Sequence, residues 1–147
     1  MNVSQKCHHA LRAMLELAMR HDRGVTSIAE IVASQRVPAR FLESILVELK
    51  RGGLVESRRG VRGGYVLAMN ARDISVGHII RLIDGEIVPL AGVSVPLDAT
   101  ARGRTALGDL WQRAAEALAE IYDTTMLHDL VEQERSMLAR STPMYSI

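Results

Sequence analysis

The sequence predicts a mostly α-helical chain in which a winged helix-turn-helix domain with a two-stranded wing is followed by a long C-terminal helix. Three observations carry this. Two short amphipathic helical patterns lie about four residues apart near residues 26–51, a glycine–arginine loop between two apolar runs follows directly, and a long apolar stripe begins near residue 105.

Each element has its own local signal. Ser4 can cap a first helix, near residues 4–21, that carries Leu11, Met14, Leu15, Leu17 and Ala18 at helical spacing and ends in His21-Asp22-Arg23-Gly24. Thr26 and Ser27 cap a short second helix with Ile28, Ile31 and Val32, and Glu30 can close a capping box with Ser27. That helix stops around Ser34 to Val37. Pro38 suits the first turn of a third helix, whose inner face is expected to be Phe41, Leu42, Ile45, Leu46 and Leu49 and whose outer side is Ala39, Arg40, Glu43, Ser44, Val47 and Lys50. Gly52-Gly53 closes it.

Behind this pair, Glu56 to Ala68 holds three arginines and three glycines in a loop flanked by apolar residues. Glycine accepts the positive φ angles of a tight hairpin, so the stretch is expected to be two strands and a basic tip. A phosphate-cradling loop is set aside, because such loops lead from strand to helix.

Ser75 starts a fourth helix with Val76, Ile79, Ile80 and Ile83, ending at Asp84-Gly85, and Glu86 to Gly103 has no strong period. From about Thr105, Leu107, Leu110, Trp111, Ala114, Leu118, Ile121, Tyr122 and Thr125 recur every three or four residues. Such a stripe must pack on something. The expected occupant is a second copy of the chain, with packing on its own domain as the alternative. A last helix covers roughly Leu127 to Ala139. The expected organisation is a DNA-binding domain at 1–85, a linker at 86–104, and a dimerisation helix with a C-terminal helix at 105–147.

Composition narrows the function. No apolar run approaches the roughly 20 residues that span a bilayer, and Met1 to Lys6 lack a secretory pattern, so a cytoplasmic location and no membrane partner are expected. The net charge of +1 conceals an asymmetry: residues 1–97 carry thirteen basic against nine acidic residues, residues 98–147 five against eight. Between Arg36 and Gly64 the balance is seven to three. A basic half facing a polyanion and an acidic half facing away is the corresponding arrangement. There is no HExxH, no serine nucleophile elbow and no paired carboxylates framed by glycines, so no catalytic residue is expected and an enzyme is disfavoured.

The chemistry of DNA reading fits the pattern. The second helix of such a pair enters the major groove, where Arg40 can meet guanine or phosphate, Glu43 can accept from the cytosine amino group, and Ser44 can bond either way. A carboxylate near phosphates adds little affinity, so Glu43 is expected to discriminate among sequences. Arg58, Arg59 and Arg62 can lie along a minor groove. The expected contact set is Lys6, Ser27, Ala39, Arg40, Glu43, Ser44, Arg58, Arg59, Gly60, Val61 and Arg62, and the expected dimer surface is Leu107, Leu110, Trp111, Ala114, Leu118 and Ile121. A protein-interaction module that has lost DNA binding is the competing class.

Cys7-His8-His9 is the one cluster with metal-ligand character. Consecutive helical side chains diverge by about 100°, so these three do not converge on an ion, and no metal site is expected. As the lone cysteine near a helix start, Cys7 is a candidate redox-sensitive thiol, because helix N-termini lower thiol pKa values.

Ala10-Leu11-Arg12-Ala13-Met14-Leu15, Ile28-Ala29-Glu30-Ile31, Phe41-Leu42-Glu43 with Ile45-Leu46, Gly53-Leu54-Val55, and Arg59-Gly60 with Gly63-Gly64-Tyr65 resemble the Rrf family of bacterial transcription regulators. The resemblance runs on through Ile74 to Ile80, Trp111 and the Thr125 to Val131 segment. It implies a winged-helix domain, a long crossed dimerisation helix, a homodimer on imperfect promoter palindromes, repression of transcription, and DNA contacts from Ala39 to Ser44 and from the Arg59 wing. Two departures stand out. Val61 and Arg62 occupy wing positions where relatives often carry proline and a small residue. Cluster-binding relatives carry three cysteines in the loop before the dimerisation helix, whereas Glu86 to Gly108 contains none here. The iron–sulfur cluster is therefore not carried over, although some relatives take a ligand from the first helix at the position matching His8. The signal stays open among Cys7 oxidation, a small ligand near Val88 to Val95, and a protein partner.

Overall fold

The computed structural model describes residues 3–87 and 105–142. Helix α1 runs Gln5–Met19 and is capped by Ser4, whose hydroxyl accepts from the Cys7 N–H. A 3₁₀ turn at His21–Arg23 follows, and Gly24, at φ 83°, lets the chain reverse. Helix α2 is Ile28–Gln35. Its start is the predicted capping box, with the Glu30 N–H on the Ser27 hydroxyl and the Ser27 N–H on the Glu30 carboxylate. Arg36, in the left-handed region at φ 52°, ends it.

Helix α3 spans Ala39–Arg51, with Pro38 as the residue before the first turn rather than within it. The Phe41 and Leu42 N–H groups bond to the Pro38 carbonyl, so proline's missing donor costs nothing there. Strands β1 (Val55–Arg58) and β2 (Gly64–Leu67) pair antiparallel, with Val55 opposite Leu67 and Arg58 opposite Gly64. Within the tip, Gly60 sits at φ 127° and the Gly63 N–H closes a turn on the Gly60 carbonyl at 2.9 Å. The hairpin is stitched to the start of α2 by reciprocal backbone bonds between Thr26 and Tyr65 at 3.0 and 2.9 Å. Gly64 is required at this crossing: a Cβ there would lie 2.2 Å from the Thr26 carbonyl oxygen.

The core explains the order of the elements. Ala10, Ala13, Met14 and Leu17 of α1 meet Leu42, Ile45, Leu46 and Leu49 of α3, with Ile31 of α2 and Leu54 behind them. Removing one such side chain, for example Leu46→Ala, costs about 2–5 kcal/mol. Glu16 is the acidic residue buried here; burial pushes its carboxyl up, but hydrogen bonds from Gln35 and Arg20 outweigh this and hold it below the ordinary carboxylate value. Phe41 departs from expectation. It is 46% exposed, because Leu42, Ile45, Leu46 and Leu49 already fill the inner face and Phe41 falls at the edge of that stripe.

Helix α4, Val76–Asp84, is capped by Ser75 and ends at Gly85. Its Val76 and Ile80 form a second small core with Cys7 and Ile87, onto which Leu118, Ala119 and Tyr122 pack. Those three belong to helix α5, Ala106–Thr124, which is capped by Thr105 and has no fully buried residue among those described. Helix α6, Leu127–Ser141, turns back onto the N-terminal lobe, where Leu127 and Val131 are buried in the main core. The effector region expected near Val88 to Val95, and the segment 88–104 as a whole, lie outside the described residues. No helix among the described residues is long and apolar enough to cross a membrane.

Candidate nucleic-acid interface

The N-terminal half of α3 presents Ala39, Arg40, Glu43 and Ser44 to solvent, as the spacing predicts. Residues three and four apart share a helical face, so Arg40, Glu43 and Ser44 form one edge. The Ser44 hydroxyl donates to the Phe41 carbonyl at 3.0 Å and keeps its acceptor lone pairs outward. Lys6 reaches α3 from the start of α1 and pairs with Glu48 at 2.5 Å. Both side chains are partly solvated, so the pair contributes little stability. What it does is hold a cation beside the α3 face.

The wing supplies the other side. Arg58, Arg59, Gly60, Val61 and Arg62 are all exposed, and Val61 projects wholly into solvent. Arg58 is paired with Glu56 at 3.0 Å, so part of its charge is met within the hairpin. Between the wing and the start of α2 lies an open groove of about 510 Å³ whose lining includes Ser27, Ile28, Arg58, Arg59, Val61 and Tyr65. The fold therefore brings Ser27 to the wing, a proximity that the sequence separation of Ser27 from Arg58 to Arg62 conceals. A bond of 2.7 Å from the Lys50 ammonium to the Ser57 hydroxyl ties the end of α3 to β1.

Two separate places thus hold the expected contact residues. Lys6, Ala39, Arg40, Glu43 and Ser44 surround the start of α3, and Ser27 with Arg58 to Arg62 forms the wing side. Phe41 joins the first group, although its spacing had placed it in the core.

The surface of α5 is divided. Leu107, Leu110 and Ile121 are 58%, 47% and 59% exposed, while Trp111 and Ala114 are half-buried. Leu118, also half-buried, leans on the α4 core of its own chain. One edge of the stripe thus packs on its own chain, and the other stays exposed.

Cys7 corrects an expectation. A helix N-terminus should lower its pKa, yet burial, together with the neighbouring Asp84 carboxylate, pushes the thiol up to about 12. Its side chain is enclosed by α4 and fully buried, so the thiolate is scarce and hard to reach. His8 is exposed. Among the described residues no three His, Cys, Asp or Glu side chains converge on a possible metal position, and the sequence of 88–104 adds no Cys or His. This donor set does not fit a cysteine-held iron–sulfur cluster, which needs several thiolates.

Known proteins agree with this geometry. A family model for Rrf2, described as an iron-dependent transcriptional regulator, matches residues 3–133. The HTH-type transcriptional regulator CymR of Bacillus subtilis is 37% identical over 142 residues, covering 93% of this chain and 98% of CymR. The solved structure of CymR, the global cysteine regulator of that organism, superposes with a TM-score of 0.78 at 34% identity over 90% of this chain and 98% of that one. IscR of T. potens superposes with a TM-score of 0.76 at 28% identity, covering 99% and 95%. With fold, exposed α3 face, wing and nearly end-to-end similarity in agreement, the chain belongs to the Rrf2 family and is a winged-helix, DNA-binding transcriptional regulator.

Proposed function

We propose that the chain works as a homodimer that binds an imperfect palindrome in promoter DNA and represses transcription, without a cysteine-held cluster. The observation that carries the DNA side is the exposed Arg40–Glu43–Ser44 edge of α3, with Lys6 held beside that helix and the arginines of the wing exposed as well. In this reading α3 enters the major groove and Arg40 and Glu43 touch base edges, while Arg58, Arg59 and Arg62 follow the adjacent minor groove and phosphates, with Gly60 and Val61 at the tip. Lys6, Ser27 and Ala39 contact the backbone, and positioning contacts of this kind set register without reading sequence.

Dimerisation is supported by the open edge of α5. Leu107, Leu110 and Ile121 leave a row of large apolar side chains in water, and covering such a row with its copy is the ordinary solution for a two-fold dimer. Trp111, Ala114 and Leu118 would border that contact. Two recognition helices then meet half-sites about 34 Å apart.

The related CymR is a global cysteine regulator, and a comparable metabolic signal relayed by a small ligand or a protein partner suits this chain better than oxidation of its enclosed thiol. Selection of bound duplexes from a random pool by the full chain tests the proposal. A two-fold symmetric enriched motif is expected. Enrichment of asymmetric sites, or of none, contradicts it.

A further inference from the structure

Phe41 is the chain's single phenylalanine, and it sits in the first turn of α3, 46% exposed. Single exposed apolar residues are ordinary on protein surfaces. Three features separate this one. It stands where recognition-helix side chains meet base edges, between Arg40 and Ser44. Its ring is held from two sides: the Arg40 guanidinium carbon lies 4.6 Å from its centroid, and the His9 imidazole stacks at 6.5 Å with the planes 17° apart. It also borders a largely apolar pocket of about 290 Å³, floored by Ile45, with Lys6 and Ser44 at the rim.

A ring fixed in this way loses little rotamer freedom when it is covered, so contact with it is preorganised. What covers it must suit a mixed surface, apolar at Phe41 and cationic at Arg40 and Lys6. The major groove offers one apolar group amid its donors and acceptors, the C5-methyl of thymine. We propose that Phe41 reads a thymine methyl in each half-site, a discriminating contact distinct from the polar ones of Arg40 and Glu43. This rests on the DNA-binding reading above and deepens it.

Deoxyuridine differs from thymidine only by that methyl, so it isolates the contact. Take the duplex selected from a random pool, replace each thymine in turn by deoxyuridine, and measure affinity for the full chain. Wild type should lose about fourfold for each methyl covered, the loss that one buried carbon entails, at one symmetry-related pair of positions. Phe41→Ala should bind the thymine and deoxyuridine duplexes equally, and Phe41→Leu, which keeps an apolar side chain, should retain part of the preference. Wild-type indifference to deoxyuridine at every position, or a Phe41→Ala variant that keeps the wild-type ratio, overturns the assignment while leaving DNA binding intact. Failure of wild type to bind any duplex sinks the DNA-binding reading instead.

Discussion

Arg81 of α4 grips Asp123 of α5 through two parallel hydrogen bonds of 2.5 and 2.8 Å, and this fork joins the long helix to the DNA-binding lobe. Bidentate arginine–carboxylate pairs fix orientation as well as distance. The fork lies over Gly77, where a Cβ would come 1.9 Å from the Asp123 carboxylate oxygen. Gly77→Ala should therefore displace Asp123 from Arg81 and loosen α5, seen as faster amide exchange along α5 with α1 and α3 unchanged.

The same pair sets a pH dependence. Hydrogen bonds from Arg81 hold the Asp123 carboxyl below its ordinary 3.8, so its ionised form is favoured by folding. A depressed folded pKa contributes stability above the unfolded pKa and loses it as pH falls through the folded one. The melting-temperature gap between wild type and Asp123→Asn should be constant above about pH 5 and close as pH falls through about 4 and below. A gap that widens on acidification would contradict the assignment.

Gly64→Ala places a methyl against the Thr26 backbone, which cannot retreat without breaking its bonds to Tyr65. Overpacking of this kind costs about 1–3 kcal/mol. A denaturant midpoint lowered accordingly, with weaker DNA affinity from a displaced wing, is the expected outcome.

The arginines of the wing and the acidic residue of α3 should separate affinity from specificity. Arg59→Ala should weaken binding to all sequences alike and reduce the slope of log affinity against log salt by about 0.9. Glu43→Ala should instead broaden the selected motif at one base pair, and an unchanged motif would remove Glu43 from the reading set.

Cys7 should behave as an inert core thiol. Burial and Asp84 push it up to about 12, so at neutral pH the native chain should react with iodoacetamide far more slowly than the denatured chain. Peroxide treatment that leaves the fold intact should leave DNA affinity unchanged. Rapid native-state alkylation would restore the redox reading.

Charged residues at Leu110 and Ile121 should yield monomers on a sizing column, since both are open on α5 and neither belongs to the inner core. Leu118 is a poorer probe, because it also packs on α4, and its replacement would confound folding with assembly.

What was legible in the sequence was local. Ser4, Ser27 and Ser75 all cap the helices they precede, because a short hydroxyl and the N–H three residues on satisfy each other without help from the rest of the fold. The glycine–arginine loop is a hairpin for the same reason. What escaped depends on contacts distant in sequence. Phe41 shares helical spacing with Ile45 and Leu49, but whether the edge of an apolar stripe is covered depends on the neighbour, and there the neighbour is His9 of α1. Cys7 sits at a helix start, where an exposed thiol would be acidified, until α4 and Ile87 close over it. Ser27 reaches the wing only because Thr26 pairs with Tyr65.

In the proposed mode of action the α3 edge and the wing together grip DNA phosphates and bases. Affinity of the full chain for its selected duplex, measured by fluorescence anisotropy between about 50 and 200 mM salt, tests it most directly. Nanomolar-range binding at low salt that falls about 10³-fold or more across that interval is the expected result. Binding that is negligible throughout, or indifferent to salt, would contradict it.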